Sequence, residues 1–175
     1  MLEKGLVQVY TGKGKGKTTA SLGLAFRAAG HGLNVIMIQF LKAEEIGGEH
    51  KAAKILPNLT IEQYGARQFY KKEEEAEKIH REKSLEGFNR AREAVMGEEY
   101  DMVILDEINV VLDHDLISRE EALKLVGGKP QKVELVLTGR NAPQEIIELA
   151  DLVSEIQAVK HPLSQGVKAR KGIEY

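Results

Sequence analysis

The residues best suited to chemistry lie near the start of the chain, in a glycine- and lysine-rich segment, residues 11–19. An apolar run precedes this segment, and a helix-forming run, residues 20–29, follows it. A glycine-rich turn between a strand and a helix points backbone N–H groups at one anion, and the helix adds its positive N-terminal end. A merely flexible basic turn would not need these flanks, so the pattern predicts a phosphate-binding loop for a nucleotide triphosphate. The residues predicted to bind the nucleotide are Gly12, Lys13, Gly14, Lys15, Gly16, Lys17, Thr18 and Thr19.

The spacing within this loop is unusual. The common pattern, G-x-x-x-x-G-K-[ST], requires glycine at position 11, but the chain has Thr11 there and its first glycine is Gly12. The loop is therefore one residue shorter between its outer glycines, and Lys13 and Lys15 add two charges within it. We expect it to hold phosphates differently from the loop of an ordinary ATPase, with Lys17 as the mobile cation.

Two adjacent carboxylates, Asp106 and Glu107, follow the apolar run at residues 102–105. In a protein with a phosphate-binding loop, a carboxylate at a strand end can hold Mg²⁺ opposite the Thr18 hydroxyl, directly or through water. The same pattern alone is more typical of an exposed strand end, but beside the loop it favours a metal site. Glu107 has two candidate roles, a base that activates water or a second metal ligand, and the sequence does not choose between them.

Two further cations follow predicted strands. Arg140 follows a glycine, where its planar guanidinium would suit phosphate at the rim of the site, although a surface arginine fits the spacing equally well. Lys42 either reaches a phosphate or is solvated.

The histidines lack metal-ligand spacing and are expected mostly at the surface, with only His161 in a suggestive position. They are His31, His50, His80, His114 and His161.

Composition limits the classes of protein. The 175 residues and 42% apolar content suffice for one domain with a core, residues 1–175. The absence of cysteine excludes disulfides, thiolate zinc sites and cysteine nucleophiles. The net charge of −2 argues against nucleic-acid binding by bulk attraction. No apolar run approaches the ~20 residues of a membrane span, and the N-terminus lacks the apolar region of a signal peptide, so we expect a cytoplasmic protein.

Strands and helices alternate along the chain and must position these groups. Near-continuous apolar runs, typical of parallel strands covered on both faces, predict strands at 6–10, 35–40, 59–64, 102–105 and 133–138, with a sixth at 152–159. Helices are predicted at 18–30, 71–96, 119–126 and 143–150. The alternation indicates an α/β fold of the P-loop NTPase (RecA-like) type, with a mostly parallel sheet and helices on both faces. Ligands of such a sheet bind beyond the carboxyl ends of its strands, where the candidate residues stand.

Side-chain patterns support the longer helices. In the helix at 71–96, the predicted inward stripe consists of Leu85, Phe88, Ala91 and Val95. Ser118 is the predicted N-cap of the helix at 119–126, with Glu121 completing a capping box.

Taken together, these motifs resemble those of the ATP:corrinoid adenosyltransferases over nearly the whole chain. The shortened loop is similar to that family's Gly-x-Gly-Lys-Gly-Lys-Thr-Thr, residues 39–42 to its Gln-Phe-hydrophobic-Lys, and residues 138–140 to its Thr-Gly-Arg. Residues 100–107 resemble its second carboxylate motif. The most specific similarity is the tail, residues 159–162, 166–169 and 172–175, which a generic ATPase has no reason to contain.

This resemblance implies that Co(I) of a reduced corrinoid attacks C5′ of ATP, so that triphosphate leaves as one unit and adenosylcobalamin forms. The loop lysines, the loop amides and Mg²⁺ would neutralise the departing charge. No water needs activation, so Glu107 would be a metal ligand together with Thr18 and Asp106. The catalytic roles would fall to Lys17 and Glu107, and Lys42 and Arg140 would contact substrate.

The resemblance also implies features outside the phosphate site. Relatives often carry Gly-Phe-Thr-Trp after the third strand, near the corrinoid, whereas this chain has no tryptophan and has residues 65–70 in that place. Phe69 and Tyr70 would then form the aromatic pair at the corrinoid. The resemblance further implies a homodimer, and a flavoprotein partner that reduces the cobalt.

Two other functions stay open on the residues alone. A regulator or slow ATPase of the same fold would use Glu107 as a base and would hydrolyse ATP without a corrinoid. A nucleic-acid module would use Lys13, Lys15 and Lys17, but the acidic net charge and the lack of interleaved aromatic residues argue against it. Turnover with ATP alone, lost in Glu107→Gln, would favour the first, and salt-dependent DNA binding would favour the second.

Overall fold

Six strands form a single sheet in the computed structural model, which describes residues 2–43, 47–66 and 74–174. They are β1 Val7–Thr11, β2 Val35–Phe40, β3 Leu59–Tyr64, β4 Met102–Asp106, β5 Glu134–Thr138 and β6 Leu152–Glu155. Every neighbouring pair is parallel, and the order across the sheet is β3-β2-β4-β5-β1-β6. The predicted α/β fold is confirmed. The bounds of β1 to β5 agree with prediction to within one residue, whereas β6 is shorter than predicted.

Helices connect the strands and cover both faces of the sheet. They are α1 Lys17–Gly30, α2 Gly48–Ala53, α3 Glu74–Met96, α4 Ile108–Asp113, α5 Arg119–Gly127 and α6 Gln144–Leu149, with a 3-10 turn at Pro162–Gln165. The sequence does not predict α2 or α4, which are six residues each and have no start signal comparable to Pro143 before the equally short α6. Among the described residues, no helix has the length and apolar content to cross a membrane.

Alternate residues of the strands build two cores, one on each face. On one face, strand residues such as Ile36, Ile38 and Val103 pack with apolar residues of α3, α4, α5 and α6. On the other face, Met37 and Ile104 pack with small residues of α1 and α2. All six residues of β2 are buried, as expected for a strand with a helix layer on each side. The sheet is therefore rigid at its centre, and the ends of its strands can hold side chains in fixed positions.

The buried stripe of α3 differs from the prediction at Leu85. Phe88, Ala91 and Val95 are buried, but Leu85 is 48% exposed, and Ser84 is fully buried in its place. Ser84 and Val95 are eleven positions apart, about three turns of helix, so both face the sheet. The prediction that Leu85 is a core residue is wrong. It followed the apolar character of leucine, whereas the helical period places Ser84 on the buried face.

The predicted N-cap of α5 is confirmed. The Ser118 hydroxyl accepts a hydrogen bond from the backbone N–H of Glu121 at 3.3 Å. The Glu121 carboxylate lies 3.4 Å from the Arg92 guanidinium of α3, so this side chain links two helices. The cap therefore fixes where α5 begins.

Candidate active site

The strand order brings the candidate segments side by side. β5 lies between β1 and β4, and β2 lies beyond β4. Because all these strands are parallel, their carboxyl ends lie along one edge of the sheet. The glycine-rich loop, the Thr138–Arg140 segment, the Asp106–Glu107 pair and Lys42 therefore share this edge. None of these segments is next to another in the chain, so the sheet assembles them.

The glycine-rich loop encloses the ammonium group of Lys17. Lys17 is 7% exposed, and its Nζ donates hydrogen bonds to the carbonyl oxygens of Gly12 at 2.8 Å and Gly14 at 2.7 Å. Gly12 and Gly16 adopt φ values of 98° and 125°, which only glycine adopts without strain. Burial lowers the pKa of Lys17, and the nearby Arg140 acts in the same direction, whereas Glu107 and Asp106 oppose the shift. The loop thus holds a buried ammonium group, and an anionic ligand beside it would stabilise its charge.

The segment after β6 braces this loop, a contact that the sequence does not predict. The Gly14 N–H donates to the Ile156 carbonyl at 2.7 Å, and the Ile156 N–H donates to the Thr11 carbonyl at 2.9 Å. A Cβ at Gly14 would lie 2.7 Å from the Ile156 oxygen, so the close approach requires glycine there. These contacts lie directly after the end of β6 at Glu155.

Asp106 is the centre of the hydrogen-bond network at this edge. It is fully buried, and it accepts hydrogen bonds from four side chains. The Thr18 hydroxyl donates to Oδ1 at 2.9 Å and the Thr138 hydroxyl at 2.7 Å. On Oδ2, the Lys42 ammonium donates at 2.7 Å and the Gln39 amide at 3.4 Å. The four partners come from α1, β5, β2 and the segment after β2, so the carboxylate joins the loop to the rest of the sheet.

Glu107 is held beside Asp106 by its own backbone. Its N–H donates to the Thr138 hydroxyl at 3.0 Å, and its φ of 66° lies in the left-handed region. Burial raises the pKa of Glu107, and the negative charge of Asp106 raises it further. Lys42, Lys17 and Arg140 act in the opposite direction. Glu107 is therefore a partly desolvated carboxylate surrounded by three cations.

The oxygen atoms of Thr18 and Asp106 fit a Mg²⁺ ion. The Thr18 hydroxyl and Asp106 Oδ1 are 2.9 Å apart. Adjacent ligands of an octahedral Mg²⁺, each ~2.1 Å from the metal, are about 3.0 Å apart. Within the described ranges, no three Asp, Glu or His side chains lie close enough together to hold a metal ion by themselves. This donor set suits a metal that binds one or two protein oxygens and takes its other ligands from phosphate and water.

The remaining predicted residues occupy varied positions. Arg140 is exposed after Gly139, whose φ is 129°, and its charge acts on both Lys17 and Glu107. Lys13 and Thr19 are exposed, and Lys15 pairs with Glu174 of the tail at 2.9 Å. Phe69 and Tyr70 lie outside the described residues.

Two histidines are more buried than the sequence predicts. His80 is 1% exposed, and both ring nitrogens of His50 are buried. His80 belongs to the buried face of α3, and His50 faces the space between α2 and β3. His161 accepts a hydrogen bond from the Leu163 N–H and caps the 3-10 turn, which gives it a structural role.

Sequence reasoning placed Gln39 and Thr138 in segments at the predicted site but gave neither residue a role. Each is a polar residue at the carboxyl end of a strand that is otherwise almost wholly apolar, and each is fully buried. A polar group in such a position requires a hydrogen-bond partner, which is the signal that could have identified both.

Comparison with known proteins agrees with this geometry. The family model of the ATP:corrinoid adenosyltransferases BtuR/CobO/CobP matches residues 3–175. A corrinoid adenosyltransferase of Sinorhizobium sp is 39% identical over 181 residues, covering 99% of this chain and 81% of its own length. The corrinoid adenosyltransferase of Escherichia coli K12 is 36% identical, and CobA of Salmonella typhimurium is 34% identical, each over 99% of this chain and 87% of the relative. A glycine-rich loop of unusual length and a match along almost every residue thus lead to one conclusion: the chain belongs to the ATP:corrinoid adenosyltransferase family.

Proposed function

We propose that this chain transfers the 5′-deoxyadenosyl group of ATP to the Co(I) centre of a reduced corrinoid and releases inorganic triphosphate. The observation that carries the proposal is the shortened loop, which surrounds the buried Lys17 ammonium and adds Lys13 and Lys15 beside it. In the proposal, the three lysines and the backbone amides of this loop would bind an intact triphosphate, with Lys15 released from its ion pair with Glu174. Family membership supplies the acceptor.

The reaction requires one bond to form and one to break. Co(I) donates an electron pair to C5′ of the ribose and becomes Co(III) as the cobalt–carbon bond forms. The bond between C5′ and its oxygen breaks, and its electron pair leaves with the triphosphate. Negative charge therefore grows on the leaving oxygen, and cations fixed before the reaction stabilise that charge without reorganising. No proton transfer is needed at the reacting atoms.

Each predicted site residue receives a role in this reaction. Lys17 and the loop amides bind the triphosphate, with Lys13 and Lys15 at its outer side. Thr18 and Asp106 would hold Mg²⁺, with Glu107 beside them as a third oxygen donor, and the ion would offset phosphate charge. Lys42 neutralises Asp106. The remaining substrate contacts in the proposal are Arg140 at the phosphate rim, and Phe69 and Tyr70 at the corrinoid.

A slow ATPase is the second candidate, and one observation favours it. Burial raises the pKa of Glu107, a property of carboxylates that act as general bases near neutral pH. Such an enzyme would release phosphate or diphosphate from ATP without a corrinoid. Glu107→Gln would abolish that release, whereas in an adenosyltransferase it would weaken metal binding.

We also infer a homodimer and an external reductant. β6 is the edge strand beside β1, and all four of its residues are exposed. A second copy of the chain that packs on this edge would cover it, since symmetric pairing is the commonest mode of self-association.

Reduction of the corrinoid to Co(I) needs an electron donor, and a flavoprotein is the proposed partner.

The test is product analysis under anaerobic conditions. The purified chain is mixed with MgATP and a chemically reduced corrinoid, and triphosphate and the adenosylated corrinoid are quantified. We expect equal amounts of the two products, and none from Lys17→Ala, which loses the cation at the centre of the loop. Lys124→Ala, at an exposed lysine of α5, is the control and should match the wild type. Release of phosphate or diphosphate without adenosylated corrinoid would contradict the proposal.

A further inference from the structure

A cavity of about 610 Å³ opens between α2, β3 and α3, apart from the glycine-rich loop. Its walls are mainly polar, and the side chains that matter here are His50 of α2, Glu62, Gln63 and Tyr64 of β3, and Lys83 and Glu86 of α3. The volume lies within the range of about 300–1,000 Å³ that is usual for small-molecule sites. β3 is the outermost strand on this side of the sheet.

His50 differs from the other polar side chains of this cavity. Both of its ring nitrogens are buried and have no hydrogen-bond partner among the described residues. Glu62, by contrast, accepts from Arg90 and from the Tyr64 hydroxyl, and Lys83 donates to Glu86 at 2.7 Å. A buried polar group without a partner costs free energy, so its presence in a cavity wall points to a ligand that supplies the partner.

The imidazole of His50 is suited to an amide ligand. Burial lowers the pKa of His50 and the nearby Lys42 lowers it further, against an opposing effect of Glu49. A neutral imidazole presents one N–H donor and one nitrogen acceptor. A primary carboxamide carries the complementary pair, an oxygen acceptor and an N–H donor.

The cavity is linked to the nucleotide site by hydrogen bonds. Gln63, in its wall, donates to Gln39 at 3.1 Å, and Gln39 donates to Asp106 at 3.4 Å. Gly65, also in the wall, packs directly on the backbone of Lys42, whose ammonium lies 2.7 Å from Asp106. A molecule in the cavity would therefore lie beside a nucleotide bound at Thr18 and Asp106, on the same edge of the sheet.

We propose that this cavity binds the amide-bearing rim of the corrinoid, and that His50 is a specificity-determining residue that hydrogen-bonds one of the side-chain carboxamides. The inference rests on the proposed function, which supplies a macrocycle rimmed with primary amides as the second substrate. The polar lining suits such a rim, whereas the flat apolar face of the macrocycle needs a different surface. His50 would then orient the acceptor and take no part in bond making.

The test compares His50→Leu, which removes both hydrogen-bonding atoms, with His50→Gln, which keeps a donor and an acceptor. His31→Leu, at an exposed histidine that follows α1, is the matched control. For each variant, the KM for corrinoid, the KM for ATP and the melting temperature are measured. Binding of an oxidised corrinoid without ATP is measured separately by equilibrium dialysis.

For His50→Leu we expect the KM and the dialysis Kd for corrinoid to rise about tenfold, because the variant loses one hydrogen bond to a well-placed partner. The KM for ATP should be unchanged, and the melting temperature should be unchanged or higher, because an unpaired buried polar group has been removed. His50→Gln should recover most of the corrinoid affinity, and His31→Leu should match the wild type.

Several results would overturn the inference. An unchanged corrinoid KM and Kd in His50→Leu would remove His50 from the site. A rise in the KM for ATP alone would assign the cavity to the nucleobase. A lower melting temperature with both KM values unchanged would give His50 a structural role. The dialysis experiment separates this inference from the proposed function: a wild type that binds corrinoid through His50 but makes no adenosylated product would refute only the function.

Discussion

Asp106 is fully buried, yet both oxygens of its carboxylate accept hydrogen bonds from side chains of the chain itself. Burying a charged group costs free energy unless a partner of opposite charge is near, and the Lys42 ammonium lies 2.7 Å from Oδ2. The hydroxyls of Thr18 and Thr138 fix the orientation of Oδ1. The oxygen atoms that would face a metal are thus in place beforehand, and substrate binding needs little rearrangement of them.

Glu107 gives a prediction about pH. Its pKa in the folded protein lies above the value in the unfolded chain, so ionisation of this carboxyl opposes folding. Glu107→Gln should therefore raise the free energy of unfolding at pH 7. The gain should shrink as the pH falls through the folded pKa and should vanish below the unfolded value of about 4.3, where the wild-type carboxyl becomes protonated in both states.

Urea unfolding of the wild type and Glu107→Gln at several pH values between about 4 and 8 measures this difference. A Glu107→Gln protein that is less stable than the wild type at pH 7 would show that the three neighbouring cations stabilise the charge more than burial destabilises it. A difference that does not change with pH would mean that the substitution acts through packing.

The sequence predicts the role of a single residue in the site only where that residue belongs to a motif. Lys17 and Thr18 follow from the glycine spacing, and Asp106 follows from its place after an apolar run. Gln39 and Thr138 become partners of Asp106 only because β2, β4 and β5 are neighbours in the sheet, although they are far apart in the chain. Lateral strand order is a property of tertiary structure, and no local spacing encodes it.

At the scale of elements, the contact between α3 and the strand ends depends on a glycine. A Cβ at Gly87 would lie 2.8 Å from the Tyr64 Cβ and 3.0 Å from the Phe40 ring. Phe40 is fully buried and cannot move aside without opening the core. The missing side chain lets the helix lie directly on β2 and β3, next to the cavity that contains His50.

Gly87→Ala should therefore destabilise the protein, although alanine is the better helix former. Overpacking costs about 1–3 kcal/mol, which we expect to exceed the helix-propensity gain of about 1 kcal/mol. Gly23→Ala in α1 is the matched control, because a Cβ there would meet nothing within 4 Å. That control should gain up to about 1 kcal/mol. Urea unfolding measures both variants, and equal effects of the two substitutions would refute the close approach of α3.

Elements with a clear apolar run or start signal follow from the sequence, whereas α2 and α4, which have neither, do not. β2 and β3 have the predicted bounds because their apolar runs are interrupted at both ends. α3 has the predicted end, but its buried stripe includes Ser84 and His80, polar residues that no hydrophobic pattern would place inside. Phe88, Ala91 and Val95 determine which face of α3 packs on the sheet. Ser84 and His80 are buried because they lie on that same face.

At the scale of the whole molecule, the chain after β6, including the tail, returns to the glycine-rich loop near the start of the sequence. Ile156 braces the glycine-rich loop, and Glu174 near the end of the tail pairs with Lys15 of the same loop. Hydrogen bonds from Arg170 and Lys15 hold the pKa of Glu174 at about 2. The ion pair is therefore present at neutral pH and is lost only as the pH falls toward that value. The tail thus contacts the glycine-rich loop directly.

The other feature at this scale is the exposed edge at β6. Leu152 and Val153 are 41% and 42% exposed, although both belong to a strand of the central sheet. If a second copy covers this edge, a charge there should weaken the dimer. Sedimentation of the wild type should then show a dimer at micromolar concentration, and Val153→Lys should shift it toward monomer.

Ile55→Lys provides the control for this experiment, because Ile55 is 81% exposed and lies beyond α2, on the other side of the molecule from β6 in the strand order. It should leave the dimer unchanged. A monomeric wild type would refute the homodimer, and a dimer unaffected by Val153→Lys would place the interface elsewhere.

The most direct measurement of the central claim follows the oxygen that joins C5′ to the first phosphate. ATP labelled with ¹⁸O at that bridging position is incubated with the chain and a Co(I) corrinoid, and the products are separated for mass spectrometry. Attack at C5′ with departure of the whole triphosphate predicts that all of the label leaves in inorganic triphosphate. Label that stays on adenosine, AMP or ADP would mean that a phosphorus–oxygen bond breaks, and the account of the loop as a site for a departing triphosphate would be wrong.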